Sequence, residues 1–303
     1  MARRSLIGMT PLALGAALIS MAVPACAQST LIDPYSVQKS KVSPDFEISY
    51  TSSLGREFPI YVFRADGPAP RPALVMYHGG SWKRGTPDQF YRQAKVWNQL
   101  GITVFLPVYA LGETHGATPQ QSTMDAFLSW QAVRQNAELL GIDANASAAG
   151  GGSAGGHLAA ALATLQPPST LVDHQAPMAL VLFNPVIDNS PAGFGAKSLG
   201  PQWQSYSPLH HISAEHPPTL FMLGDSDTLI PVETGERYCQ DVRAWARCEL
   251  IIYPGGTHSW FNKDGFADTL RDSTRFLAET FSLEPVQFKT ANAQPDATDT
   301  LQD

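Results

Sequence analysis

The sequence predicts an α/β protein built on a mostly parallel, twisted sheet of about eight strands with helices on both faces. Three observations carry that reading. Apolar runs of strand length alternate with stretches of helix length over most of the 303 residues, and strands that alternate with helices form parallel sheets. Several of the runs are continuously apolar, as strands covered on both faces require. The pentapeptide Gly151-Gly152-Ser153-Ala154-Gly155 stands between a strand-like run and a helix-like run, and a serine at such a strand-to-helix turn projects its hydroxyl above the sheet.

In chain order, Phe46–Tyr50 and Phe58–Phe63 read as two strands joined by the Leu54-Gly55 turn. No helix separates them, so the leading edge is expected to be antiparallel. Ala73–Tyr77 is a buried strand. Gln89–Leu100 is a helix stopped by Gly101, and Ile102–Leu106 is the next strand. A helix is expected over Thr123–Leu140, closed by Gly141. Ala146–Ala149 then leads through the serine turn into a helix over His157–Leu165. Ala179–Phe183, Thr219–Leu223 and Glu249–Tyr253 supply further strands. Helices are expected over Val232–Ala246 and Phe266–Phe281. Residues 189–206, rich in Gly, Pro and Ser, form an insertion that serves as a short lid or a pocket wall. Residues 28–44 read as a loose lead-in, 45–283 as one domain, and 284–303 as a disordered tail without hydrophobic period.

Residues 1–27 have the layout of an export signal. Arg3 and Arg4 precede a largely apolar stretch from Leu6 to Val23, and Ala25-Cys26-Ala27 is a small-residue cleavage site. Thr10, Pro11, Ser20 and Pro24 interrupt the stretch, which argues against a retained membrane span. Arg3-Arg4-Ser5-Leu6-Ile7 loosely resembles a twin-arginine signal. Val23-Pro24-Ala25-Cys26 loosely resembles a lipoprotein box, so anchoring through Cys26 is the weaker variant of an exported, periplasmic or secreted protein. Cleavage after Ala27 leaves two cysteines, Cys239 and Cys248. In an oxidising compartment the expectation is a disulfide between them. Two cysteines without clustered histidines leave no structural zinc site. The formal net charge of −7 without a basic cluster argues against nucleic acid and anionic membranes as partners. Oligomeric state is not legible.

A serine hydroxyl needs a base to take its proton, a group to orient that base, and donors to hold the oxyanion. The chain supplies each. His258, in Gly255-Gly256-Thr257-His258, follows an apolar strand and is the candidate base. In Gly224-Asp225-Ser226-Asp227, Asp227 is preferred to Asp225, which lies too close to the strand end to reach across the sheet edge. His157 lies one helical turn after Ser153 and is expected to line the helix; His210, His211 and His216 read as incidental loop residues. Gly79, Gly80 and Ser81, in His78-Gly79-Gly80-Ser81-Trp82, and Ala154 after the nucleophile are the candidate oxyanion donors.

These four segments, with Gly155-Gly156-His157-Leu158 after the serine, together resemble the secreted α/β-hydrolase esterases, nearest the acetyl-esterase and hormone-sensitive-lipase-like group with its bacterial carbohydrate-ester and feruloyl esterases. The resemblance covers roughly residues 50–281 and implies the α/β-hydrolase fold. It implies a Ser153-Asp227-His258 triad working through an acyl-enzyme on short-chain or carbohydrate-linked esters, without a cofactor or metal. Two departures stand out. Ser81 replaces a third glycine, and Gly152 replaces the usual aspartate. No length precedes Phe46 for a helical cap, so an open site without a large cap domain is implied. The motif His-Gly-Gly-x-Trp also occurs in kynurenine formamidases, which keeps amide hydrolysis as an alternative. A non-catalytic binding protein on the same fold is a remote one. Trp82, Tyr109, Trp203, Trp260 and Phe261 either line the substrate pocket or pack the core.

Overall fold

The computed structural model describes residues 31–171 and 173–289. The expected export signal, Cys26 included, lies outside the described residues. Eight strands form the central sheet: β1 Phe46–Thr51, β2 Glu57–Phe63, β3 Arg71–Tyr77, β4 Thr103–Pro107, β5 Ile142–Gly152, β6 Leu180–Phe183, β7 Thr219–Gly224 and β8 Cys248–Tyr253. Their spatial order is β1-β2-β4-β3-β5-β6-β7-β8. β2 pairs antiparallel with β1 and β4, and every other neighbour is parallel. The antiparallel edge falls where the helix-free connection required it.

The main helices are α1 Pro34–Lys39, α2 Tyr91–Gln99, α3 Pro119–Gln135, α4 Ala154–Thr164, α5 Val232–Val242 and α6 Phe266–Phe281. Successive side chains of β3 divide between two cores, because residues alternate across a strand. Val75 and Tyr77 join Phe127 and Trp130 of α3, Leu158 of α4 and Tyr238 of α5. Leu74 and Met76 join Ala94 and Trp97 of α2 and Leu270 and Leu277 of α6. Both faces are covered, which explains the unbroken apolar runs.

Some boundaries differ from expectation. α3 starts four residues before Thr123, because the cap decides its start. Thr118 Oγ1 accepts from Gln121 N, Gln121 Oε1 accepts from Thr118 N, and Pro119 takes the first turn, where its missing N–H costs nothing. The lead-in is not loose throughout: Asp33 caps α1 through Tyr35 N and Ser36 N. The expected disordered tail is partly paired. Gln287–Phe288 run parallel to Leu31–Ile32, and Lys289 N donates to Ile32 O at 2.8 Å. Phe288 has an apolar neighbour there that a composition-based reading of 284–303 could not anticipate; residues 290–303 lie outside the described residues. Among the described residues no helix is long and apolar enough to cross a membrane. A Cys239–Cys248 disulfide joins α5 to β8 with Cα atoms 5.2 Å apart, as expected.

Candidate active site

Ser153 occupies the single-residue gap between β5 and α4 at φ 52°, ψ −118°. Positive φ is costly for a residue with a side chain, and the surroundings hold it there. Ser153 N donates to Phe183 O at 2.9 Å, and Ser153 O accepts from Val186 N at 3.0 Å and His157 N at 3.1 Å. The glycine before it has a local reason. A Cβ on Gly152 would stand 2.8 Å from Cζ of Phe261, so the aspartate of the lipase-like pattern would displace that ring. Phe261 is buried against Phe90 and Phe183.

Asp227 and His258 come from the loops after β7 and β8. Those loops are laced together: Ser226 N donates to Gly256 O at 3.0 Å, and Gly255 N donates to Asp225 Oδ1 at 2.7 Å. This employs Asp225 as a surface tie and leaves Asp227 facing inward. Asp227 Oδ1 accepts from Leu229 N at 2.8 Å and Ile230 N at 3.0 Å. Its Oδ2 accepts from His258 Nδ1 at 2.8 Å. That bond assigns the Nδ1–H tautomer and leaves Nε2 as an acceptor for Ser153 Oγ at 2.9 Å. The Asp227 side chain is fully buried, whereas the His258 side chain keeps 18% exposure. The imidazole is thus anchored at one end and open to solvent at the other.

The segment after β3 runs through three successive positive φ values: Gly80 at 123°, Ser81 at 56° and Trp82 at 59°. Only glycine fits the first, since a Cβ there would run into Arg84 O. Gly80 O closes the turn by accepting from Lys83 N at 3.0 Å and Arg84 N at 3.1 Å. Among the described residues the N–H groups of Gly80 and Ser81 meet no acceptor in the turns and loops. Ala154 N opens α4, where helix N–H groups lack intrahelical partners. Gly79, expected among these donors, is a correction: its N–H is committed to Gln89 Oε1 at 2.7 Å. Sequence reasoning missed Gln89, which lies ten residues away on a 3-10 turn and carries no motif. It also missed Asn184. Asn184 Nδ2 stands 3.5 Å from both ring nitrogens of His258, beside the ring rather than paired with one of them. An Asn-Pro dipeptide directly after a strand was the available signal.

Three other histidines are structural. His157 Nε2 donates to Tyr206 O at 2.7 Å, and burial pushes its pKa down to about 4. His78 Nδ1 donates to Gly79 O at 2.8 Å, its ring stacks on Tyr109, and burial lowers it to about 4. Both are neutral at pH 7. His216 is buried against Tyr238 OH at 2.8 Å rather than loose in a loop. Of the five aromatics with two readings, Trp82, Tyr109 and Phe261 pack the core, while Trp203 and Trp260 are half-buried. Among the described residues no three His, Cys, Asp or Glu side chains cluster to hold a metal. The 189–206 insertion forms a wall: with Gly80 and Ser81 it encloses a cleft of about 500 Å³.

Residues 74–201 match the family model described as the alpha/beta hydrolase fold. Esterase 2 of Thermogutta terrifontis, in a structure phosphorylated by paraoxon, is 30% identical with a TM-score of 0.73, covering 79% of this chain and 95% of that one. The chain is an α/β-hydrolase esterase. The ethyl acetate hydrolase of Pseudomonas putida is 28% identical to it over 246 residues, 71% of this chain and 74% of that protein. The acetylxylan esterase of Xylanibacter ruminicola is 28% identical over 222 residues, 66% of this esterase but only 44% of the larger protein. Carboxylic-ester hydrolysis is therefore the activity that the described geometry has to perform.

Proposed function

We propose that the esterase cleaves small, short-chain esters with Ser153 as nucleophile, His258 as general base and acid, and Asp227 as the group that orients His258. The observation that carries this reading is the unbroken relay from Ser153 Oγ to His258 Nε2 and from His258 Nδ1 to Asp227 Oδ2. Ser153 Oγ attacks the ester carbonyl carbon while His258 Nε2 takes its proton. The carbonyl oxygen becomes an oxyanion, held by the N–H groups of Ala154, Gly80 and Ser81. Removing one such donor costs about 3 kcal/mol of transition-state stabilisation. The tetrahedral intermediate collapses to an acyl-enzyme, and Nε2–H protonates the leaving alcohol. Water, deprotonated by His258, then releases the acid.

Short acyl groups are favoured by the likeness to Thermogutta terrifontis esterase 2, whose structures include propionate-bound and butyrate-bound forms. The acetylxylan esterase relative supports carbohydrate-linked acetate as a substrate. Export is proposed from the basic, apolar and small-residue pattern of residues 1–27 together with the Cys239–Cys248 disulfide, since such bonds persist in oxidising compartments.

The test is hydrolysis of p-nitrophenyl esters from acetate to laurate by the wild type and by Ser153→Ala. Acetate, propionate and butyrate are expected to turn over fastest. Ser153→Ala is expected to lose about 10⁴-fold or more in kcat without a change in melting temperature. Substantial serine-independent turnover would overturn the assignment. Matched amides, run in parallel, measure ester against amide preference.

A further inference from the structure

The cleft beside the oxyanion loop carries charge that ester hydrolysis does not use. The chain has a formal net charge of −7, yet Lys83, Arg84 and Lys197 line this cleft with one carboxylate, Glu113. Among the described residues none of the three cations has a carboxylate partner within 4 Å, as is true of most of the chain's cations. The three come from two segments that are fastened to each other. Lys83 and Arg84 belong to the turn closed on Gly80 O. Lys197 lies on the short helix Ala196–Leu199 of the insertion. The Phe194 ring packs against Trp82, Asn189 Nδ2 donates to Phe194 O at 2.9 Å, and Phe194 N donates to Asp188 O at 2.9 Å. These contacts bring Lys197 to the wall shared with the oxyanion loop.

We propose that this cleft is a subsite for a carboxylate carried by the ester substrate, next to the scissile bond. The inference rests on Ser153 being the nucleophile with Gly80 and Ser81, which line the cleft, as oxyanion donors. With three cations against one carboxylate the cleft keeps a net positive charge, which a bound anion offsets. A cleft lined by one sign of charge also concentrates ligands of the opposite sign. The carboxylate can belong to either half of the ester, the acyl group or the alcohol.

The experiment measures kcat/KM for two pairs at low ionic strength. Mono-4-nitrophenyl succinate against 4-nitrophenyl butyrate places the charge on the acyl half. 4-Acetoxybenzoate against its methyl ester places it on the alcohol half. At least one anionic ester is expected to exceed its neutral control by about tenfold, an advantage that salt at about 0.5 M removes by screening. In a combined Lys83→Gln, Arg84→Gln, Lys197→Gln variant the anionic-to-neutral ratio is expected to fall to about one. No anionic advantage in either pair, or an advantage that survives the triple substitution, would overturn the subsite. Neutral-ester turnover that persists in Ser153→Ala would instead overturn the assignment of the nucleophile.

Discussion

Ser153 at φ 52° and Asp227 with both carboxylate oxygens engaged are the two residues on which the site turns. The strain at Ser153 is held by three backbone hydrogen bonds, so its hydroxyl is aimed before substrate arrives. Asp227→Asn separates orientation from structure. An asparagine Oδ1 can still accept from Leu229 N and Ile230 N, but an amide NH₂ would face His258 Nδ1. The ring would then carry its proton on Nε2 and could no longer accept from Ser153. The expected outcome is a fall in kcat of about 10⁴-fold with little change in melting temperature, measured by steady-state kinetics and a thermal melt. Activity near wild type would remove Asp227 from the proposed role.

Whole elements decide what single residues cannot. The loop after β3, the proposed oxyanion loop, is held by Gln89 through Gly79 N, and its turn is closed by Lys83 and Arg84 on Gly80 O. Gln89→Ala leaves the Gly79 N–H without that acceptor. The loop is expected to lose alignment rather than fold, lowering kcat about tenfold with KM nearly unchanged, because the donors act mainly on the transition state. A change confined to KM would contradict this role. The same loop shows where reading by pattern stopped. His78-Gly79-Gly80-Ser81-Trp82 marked the loop of the proposed donors, but the commitment of Gly79 N depended on a side chain brought in from another segment.

For the whole molecule, the buried histidines contribute to the acid response. His78 and His157 sit at about 4 because burial disfavours the charged ring, while an exposed imidazole titrates near 6.5. The unfolded chain therefore takes up protons between about pH 6.5 and pH 4 that the native state refuses. The stability contributed by these neutral rings is whole above pH 6.5 and is lost as pH falls through that window, on the order of 3 kcal/mol for each ring. Urea unfolding at several pH values is expected to show it. His157→Gln, which keeps a donor for Tyr206 O, is expected to flatten the slope by about 1.4 kcal/mol per pH unit in mid-window. An unchanged slope would exclude His157 from the acid response.

The sequence by itself determined the sheet, its antiparallel edge, the strand-to-helix turn at Ser153 and the positions of the proposed partners Asp227 and His258 after strands, because each is written in local period or in position at a strand end. The cysteine pair was legible through the export reading, since the chain has three cysteines and removal of Cys26 leaves one intramolecular pairing. Helix ends were less legible where a cap such as Thr118 outweighs the apolar pattern. Only the tertiary structure decided the rest. Gln89 on Gly79, Asn184 beside His258, the pairing of Phe288 with the lead-in, and Lys197 on the cleft it shares with the loop after β3 all bring together residues separated in the chain. Such contacts follow from how helices and loops pack on the sheet, and neither propensity nor spacing along the chain encodes that distance.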